Sequence, residues 1–552
     1  MRVRCAMDLS WLSSLSPARL VLVGLVALGV LYLFVSILEA ALRWIPVAYG
    51  LRGVPCAPGG DFLTGQALSL ASARCAWDTM SEWATRSTPL VRFRILHRTG
   101  LIATTPADAR RIFQTKQRVY TKDTDFSYRP FLSILGTGLV TANGKAWRDQ
   151  RLLMAPAFRV NMLDDILPIA QRATDRLSRK LESLRGTGVP IDMNEELRLL
   201  TLQVIGEAIL SLPAAECDAV FPALYLPVME ESNKRVLQPW RTLFPVQAMR
   251  YSARVRALNR YLSAIIRRRR QIRDIERAQE EAKGKAAGVP SQDASGKEGV
   301  SSSRPRDILD RILDASDAEG RPWTPAKTTH LCYELKTFLL AGHETSAAML
   351  AWTLYQASIQ PHIAQKIREE ALVALPEDRE PEAEAKRVDP AARAPRARVP
   401  TREAVEGMHY SLGALKEALR LYSVVPVVTR NVDQDDELSG FKVPKNSWVI
   451  LHLKAVHHRT YADPTAFKPE RFVPGGEYDQ LPDDVRPYAF LPFTVGPRSC
   501  LGQYFALLEA RVVIGLLLRR FSFTPVDPVK QGEEHPSVIP VGPLNGMAMY
   551  VN

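Results

Sequence analysis

The apolar positions of this chain begin as one unbroken block and then resolve into periodic stripes. Leu20 to Leu38 reads LVLVGLVALGVLYLFVSIL, nineteen residues without a charge. At about 1.5 Å rise per residue such a helix spans about 28 Å, close to the hydrocarbon thickness of a bilayer. The block is longer than a signal-peptide core, and Ile37-Leu38-Glu39-Ala40 is a poor cleavage site. A retained membrane anchor is therefore predicted within residues 1–44. Arg2, Arg4 and Arg19 on one side, against Arg43 and Arg52 on the other, leave its orientation open. Residues 45–60, with Gly53-Val54-Pro55-Cys56-Ala57-Pro58-Gly59-Gly60, read as a turn-rich hinge.

Residues 61–552 then read as a single domain. Segments 161–182 and 250–278 are charged and amphipathic at helical period. Thr328 to Ala357 contains no proline, and its centre, Phe338-Leu339-Leu340-Ala341-Gly342, is apolar all round, which predicts a helix of about 45 Å through a core. Strand-like pieces follow at 424–430 and 440–453. Residues 279–305 and 376–400 lack an apolar cluster and read as low-complexity insertions. The expected class is mainly α with minor β.

Composition narrows this picture. With 46% apolar and 8% aromatic residues among 552, wholesale disorder is excluded. Six cysteines (Cys5, Cys56, Cys75, Cys217, Cys332, Cys500) without close pairs exclude a disulfide scaffold and point the domain to a reducing compartment. The net charge of +13 comes without finger spacing or a lysine-rich tail, so no nucleic-acid partner is predicted. The run Arg267-Arg268-Arg269-Arg270 reads instead as a surface facing membrane or partner.

The chemistry concentrates in Phe493-Thr494-Val495-Gly496-Pro497-Arg498-Ser499-Cys500-Leu501-Gly502. An apolar helical pattern follows, which places Cys500 near a helix amino terminus where amides and dipole favour thiolate. Arg498 adds positive charge, and Gly496 and Gly502 allow close approach to a flat ligand. A thiolate so held suits axial ligation of haem iron; the plain alternative, taking the residue alone, is an inert buried cysteine. The decapeptide resembles the haem-binding loop of the cytochrome P450 family, Phe-x-x-Gly-x-Arg-x-Cys-x-Gly, at every fixed position.

Supporting motifs follow in that family's order. Ala341-Gly342-His343-Glu344-Thr345 resembles its oxygen-activating segment, with Thr345 as the alcohol, Glu344 as the proton-relaying acid and Gly342 leaving room for a planar cofactor. The plain alternative for Thr345 is a bond to the carbonyl four residues back. Glu417-Ala418-Leu419-Arg420 resembles the Glu-x-x-Arg helix, with Arg471 as third member and a structural role on the cysteine side. Trp147 and Arg151 resemble the pair that binds haem propionates, with Arg430 and Arg498 as further cations. His457 and His458 stand where the family often carries a comparable pair.

The resemblance implies a cytochrome P450 fold preceded by a single transmembrane helix, holding heme b through Cys500. It implies a monooxygenase that inserts one oxygen atom of O2 into a lipophilic substrate: a fatty acid, sterol, terpenoid or carotenoid. The Ala-Gly-His-Glu-Thr-Ser run looks most like the fatty-acid and carotenoid hydroxylase branches. Electrons would come from NADPH through NADPH–cytochrome P450 reductase, with cytochrome b5, or a ferredoxin in an organelle, as further donors. The implied location is the endoplasmic reticulum membrane with the domain in the cytosol, or else a plastid or other organelle membrane. The rival is a hydroperoxide isomerase or dehydratase of the same fold, needing neither O2 nor reductase; intact Thr345 and Glu344 favour the monooxygenase. Expected pocket walls are Phe126–Leu135, Leu210–Pro227, Phe338–Ala341, Val424–Val428 and Leu544–Met547.

Overall fold

The computed structural model describes residues 16–84, 88–158, 163–286, 307–318, 320, 322–376, 399–536 and 539–552. The longer helices, in chain order, are α1 (Pro17–Gly50), α2 (Gly144–Met154), α3 (Leu163–Glu182), α4 (Met193–Leu210), α5 (Pro245–Ala286), α6 (Ile308–Ala318), α7 (Pro325–Ile359), α8 (Pro361–Ala374), α9 (His409–Leu421) and α10 (Gln503–Arg520). The main sheet orders five strands β1 (Leu90–Ile95), β2 (Arg98–Ala103), β5 (Trp448–His452), β4 (Val427–Val432) and β3 (Tyr120–Thr121). Only β2–β5 is parallel in it. The mainly helical expectation holds.

α7 is the axis of the helical core. Thr324 caps its start by accepting from the Lys327 amide, and Pro325 suits the first position. Apolar side chains all round then bury it against α4, α9 and α10 in one continuous cluster. The predicted helix from Thr328 to Ala357 is thus found, extended by a few residues at each end. A second cluster lies on the sheet, whose central strand β5 is buried at every residue.

α1 differs from its expectation at the far end. The apolar span continues as helix to Gly50, so the hinge expected at 45–60 starts only at Leu51. The cause is a second apolar stripe: Trp44, Val47 and Leu51 lie three and four residues apart and are buried in the sheet-side cluster. Beyond that docking stripe the helix is bare, with Leu25, Leu28, Tyr32 and Phe34 all highly exposed. Arg2, Arg4 and Cys5 lie outside the described residues.

α5 also runs further than its apolar pattern, entering the stretch expected as an insertion from 279. Gln279 to Ala286 are mostly good helix formers, and propensity carries the helix on without a face to bury. The rest of that insertion, from 287, and residues 377–398 of the second one lie outside the described residues. The arginine run on α5 is divided: Arg267 and Arg268 are exposed, while the arginines on the other face are paired. Arg269 is buried against Asp307 (2.6 Å) and Asp310 (2.8 Å), and Arg273 and Arg277 pair with Asp314 and Asp317. Four aspartates one turn apart on or beside α6 thus take up much of the positive charge.

Candidate active site

Two accessible points open in an otherwise closed interior. On α7 the residues before and after Ala341 are largely buried, yet Ala341 itself is exposed, with Thr345 half-buried one turn on. Cys500 is likewise accessible, three residues before α10. This accessible area is interior space, because protein surrounds the sulfur and burial raises its thiol pKa. The Gly502 amide and Arg151 oppose that rise without cancelling it. The helix amino terminus therefore does not by itself make a thiolate here; desolvation wins, and a cationic partner at the sulfur is needed to hold it ionised.

The loop carrying Cys500 is built for one shape. The Cys500 amide donates to the Phe493 carbonyl at 2.9 Å, closing the turn, and Phe493 packs on the helical core. Gly496 has φ +77° and a Cβ there would run into the Phe113 carbonyl, so glycine is required twice over. Gly502 has only the Cys500 sulfur near its Cβ position, at 4.0 Å. His457 ties the loop's approach: its Nε2 accepts from the Leu491 amide at 2.8 Å and its Nδ1 meets the Ser423 hydroxyl at 3.1 Å. His458 meets the Leu421 carbonyl at 3.2 Å. Both histidines serve the scaffold.

Arg151 and Arg498 lie on different sides of the loop. Arg151 donates to the Ser499 carbonyl at 2.7 Å and is the cation beside Cys500. Arg498 turns away, donating to the Ala142 carbonyl at 3.0 Å and stacking 4.3 Å over the Trp147 ring. There it joins a group that the motifs did not show. Lys122 donates to the Tyr128 hydroxyl at 3.0 Å, and Arg430, buried beside Phe113, acts on the same hydroxyl. Burial pulls Lys122 down to about 8, with Arg430 and Arg498 adding to the fall. Burial, then Arg430, brings Arg498 to about 10. Burial would raise the Tyr128 phenol, but Lys122 and Arg430 overcome it and hold it below its ordinary value. Among the described residues no carboxylate pairs with Lys122, Arg430 or Arg498. Three desolvated cations around one phenol form a cradle for anionic groups. Nothing local marks Lys122 or Tyr128 in the sequence, since both sit in an irregular loop.

On α7, Gly342 does not face open space. Its Cβ would lie 2.7 Å from the Ile205 side chain of α4, so the glycine permits close helix packing, and Ala341 is the small residue on the accessible face. The Thr345 hydroxyl donates back to the Ala341 carbonyl, the bond that its type alone allowed. Glu344 reaches Arg198 of α4 at 3.5 Å; burial raises its pKa, and Arg198 pulls the other way. His343 is fully buried beneath Tyr225, and burial lowers it to about 3.

The Glu417–Arg420–Arg471 group is fully buried. Arg420 donates to both Glu417 oxygens at 2.7 and 2.8 Å, Arg471 adds 3.2 Å, and the Lys468 amide adds 2.9 Å. Arg420 also serves the carbonyls of Pro464 and Ala466. Several expected wall residues lie elsewhere. Phe126 meets Trp448 edge-on under Arg98, Tyr225 is core, and Leu544 edges a polar surface depression of about 910 Å³ with Asp78, Glu82 and Glu533. That depression contains no part of the Cys500 loop.

A family model described as Cytochrome P450 matches residues 58–547. The chain belongs to the cytochrome P450 family. Among curated proteins it is similar to "Probable cytochrome P450 4aa1" of Drosophila melanogaster, 27% identical, covering 90% of this chain and 88% of the relative. It is also similar to "Cytochrome P450 4c21" of Blattella germanica (27% identical; 73% and 75% covered) and "Cytochrome P450 4F6" of Rattus norvegicus (28%; 73% and 70%). Cytochromes P450 are haem-thiolate monooxygenases of lipophilic substrates, with cysteine ligation and electrons from NADPH through a reductase. This P450 is thus an oxidoreductase, and its interior fits the cofactor: an accessible cysteine sulfur, and a cradle of cations with no acid paired to them among the described residues, suited to two carboxylates.

Proposed function

We propose that Cys500 would supply the thiolate ligand of a heme b, with Lys122, Arg430, Arg498 and Trp147 as the residues that would hold its propionates. The cation cradle carries this reading, because buried Arg430 and half-buried Lys122 and Arg498, with no acidic partner among the described residues, suit an anion from outside the chain. Arg151 stands on the sulfur side and steadies the ligand loop through the Ser499 carbonyl. Phe493, Gly496 and Gly502 shape that loop. The bound haem supplies dioxygen activation and oxygen transfer.

The chain's own residues handle space and protons. Ala341 keeps the dioxygen side open, with Gly342 allowing α4 to pack behind it. The Thr345 hydroxyl, resting on the Ala341 carbonyl, turns into the accessible space to donate a hydrogen bond. Glu344, held more protonated than an ordinary carboxyl by burial, stores the proton that replaces the one given. Phe131, Leu132 and Phe338 contribute apolar surface that excludes water from the substrate side.

The substrate is a lipid reaching the site from the bilayer: a fatty acid, sterol, terpenoid or carotenoid. The bare apolar α1 and the exposed side chains Trp240, Leu243, Phe244 and Met249 support membrane contact. The reading places the protein in the endoplasmic reticulum membrane, served by NADPH–cytochrome P450 reductase with cytochrome b5 as second donor. The test is a lipid panel scanned for substrate-induced spectral shifts, followed by turnover with and without reductase. Reductase-dependent incorporation of one oxygen atom from labelled O2 supports the reading; conversion of lipid hydroperoxides without reductase overturns it in favour of the isomerase.

A further inference from the structure

The long helix α7 carries a carboxylate that the motifs leave unused. Glu334 is 1% exposed, in the apolar part of the helix two turns before Ala341. Its Oε2 accepts from the Leu139 amide at 3.0 Å, and its Oε1 has no partner. Leu139 belongs to a strap, residues 136–143, that lies along α7. Gly136 (φ +51°) sits against the Tyr333 ring, and Gly138 packs on the Thr337 hydroxyl. The Thr141 hydroxyl donates to the Gly136 carbonyl at 2.7 Å and ties the strap to itself.

The other end of the strap holds the cation cradle. The Ala142 carbonyl accepts from Arg498 at 3.0 Å. Asn143 Oδ1 accepts from Arg498 at 3.3 Å and from the Lys122 amide at 2.9 Å. Asn143 Nδ2 returns a bond to the Lys122 carbonyl at 3.2 Å. A single strap therefore runs from the Glu334 carboxyl to two of the three cradle cations.

We propose that Glu334 is a positioning residue for the propionate cradle, latching the strap to α7 and releasing it when it loses its proton. The proposal rests on the cofactor assignment above for the meaning of the cradle, and on the strap alone for the latch. Burial raises Glu334 to about 7, and the Leu139 amide is the one opposing influence. Strap residues 136–142 carry no titratable side chain. Of the neighbours on α7, Lys336 is turned to Asn259 of α5 and Tyr333 to the strap glycines. Among the described residues no charged group of α4 or α5 acts on the carboxyl.

The sign follows from linkage. The latched state holds its proton up to about pH 7, whereas a carboxyl freed into water lets go near the ordinary value of 4.5. The latched state binds more protons, so rising pH favours release. Opening grows about tenfold per pH unit between 4.5 and 7, roughly 300-fold in all, and levels off above 7.

Hydrogen exchange by mass spectrometry on the full-length, haem-loaded protein from pH 5 to 8 tests the latch. The strap peptide is compared with an α10 peptide in the same digest, and with Glu334→Gln, which keeps an acceptor oxygen but does not titrate. Wild-type strap opening should rise roughly 40-fold from pH 5 to 7 relative to the Gln chain. Parallel wild-type and Gln profiles would overturn the latch, and a wild-type strap that tracks α10 at every pH would do so without the variant. Haem transfer to an excess of apo-globin should accelerate over the same range in wild type only. A pH-dependent strap with pH-independent haem transfer would overturn the link to the cradle. Failure to bind haem at all would defeat the cofactor assignment, leaving the exchange result to judge the latch on the apoprotein.

Discussion

Replacing Glu417 by Gln removes one negative charge from between two fully buried guanidinium groups. In the best orientation the amide oxygen takes the place of Oε1 and keeps the bonds from Arg420 Nη2, Arg471 and the Lys468 amide. The amide nitrogen then stands where Oε2 accepted from Arg420 Nε at 2.7 Å, and donor meets donor. One charge-assisted bond is worth about 1.5–3 kcal/mol, and breaking a buried pair costs about 3–5 kcal/mol in all. Arg471 keeps Glu477, and the Pro464, Ala466 and Asp463 carbonyls still satisfy the guanidiniums, so the lower end applies, about 3 kcal/mol. Urea unfolding in one detergent, followed by far-UV circular dichroism, reads this as a lowered midpoint at constant slope. Haem content after expression should fall with it, because α9 and the segment around Arg471 support the cysteine side. A loss below about 1 kcal/mol is the behaviour of an exposed pair and would refute the buried-network argument.

Gly342→Val should cost about 1–3 kcal/mol by overpacking, and Ile205→Ala in the same chain should restore part of it; thermal denaturation with no rescue would show that the glycine faces something other than α4. Thr345→Ala should leave the folding midpoint within about 0.5 kcal/mol, since it loses only a bond to its own helix. It should lower product formed per NADPH and raise peroxide, measured by stoichiometry; unchanged coupling would contradict its proton role. Deleting residues 1–50 should destabilise by about 3 kcal/mol or more relative to deleting 1–38, because only the longer cut removes buried Trp44 and Val47. Equal melting temperatures would contradict the docking of α1 on the sheet.

Motifs read along one helix or one tight loop translated directly into geometry. Glu417 and Arg420 are three apart, and local periodicity puts them together; the decapeptide closes through a bond between its own first residue and Cys500. The misplacements involve partners distant in sequence. Arg151 stands on the Ser499 carbonyl beside Cys500, and Arg498 on the Ala142 carbonyl and the Trp147 ring, contacts made across more than 340 positions. Gly342 is spoken for by Ile205, 137 positions earlier. Of the Arg267–Arg270 run, Arg267 and Arg268 are surface as expected, while Arg269 and Arg270 meet aspartates that lie beyond an insertion, on and beside α6. Lys122 and Tyr128 carried no signal, being ordinary residues in an irregular loop. Glu334 did carry one: a lone acid in the apolar run from Leu331 to Leu340 is a buried polar group that needs a partner.

The account depends most on Cys500 as the thiolate ligand. The difference spectrum of the reduced, haem-loaded protein under carbon monoxide tests this directly. The account predicts a band near 450 nm that is lost in Cys500→Ser. Intact, haem-loaded wild-type protein without that band, or a serine variant that retains it, would contradict the assignment.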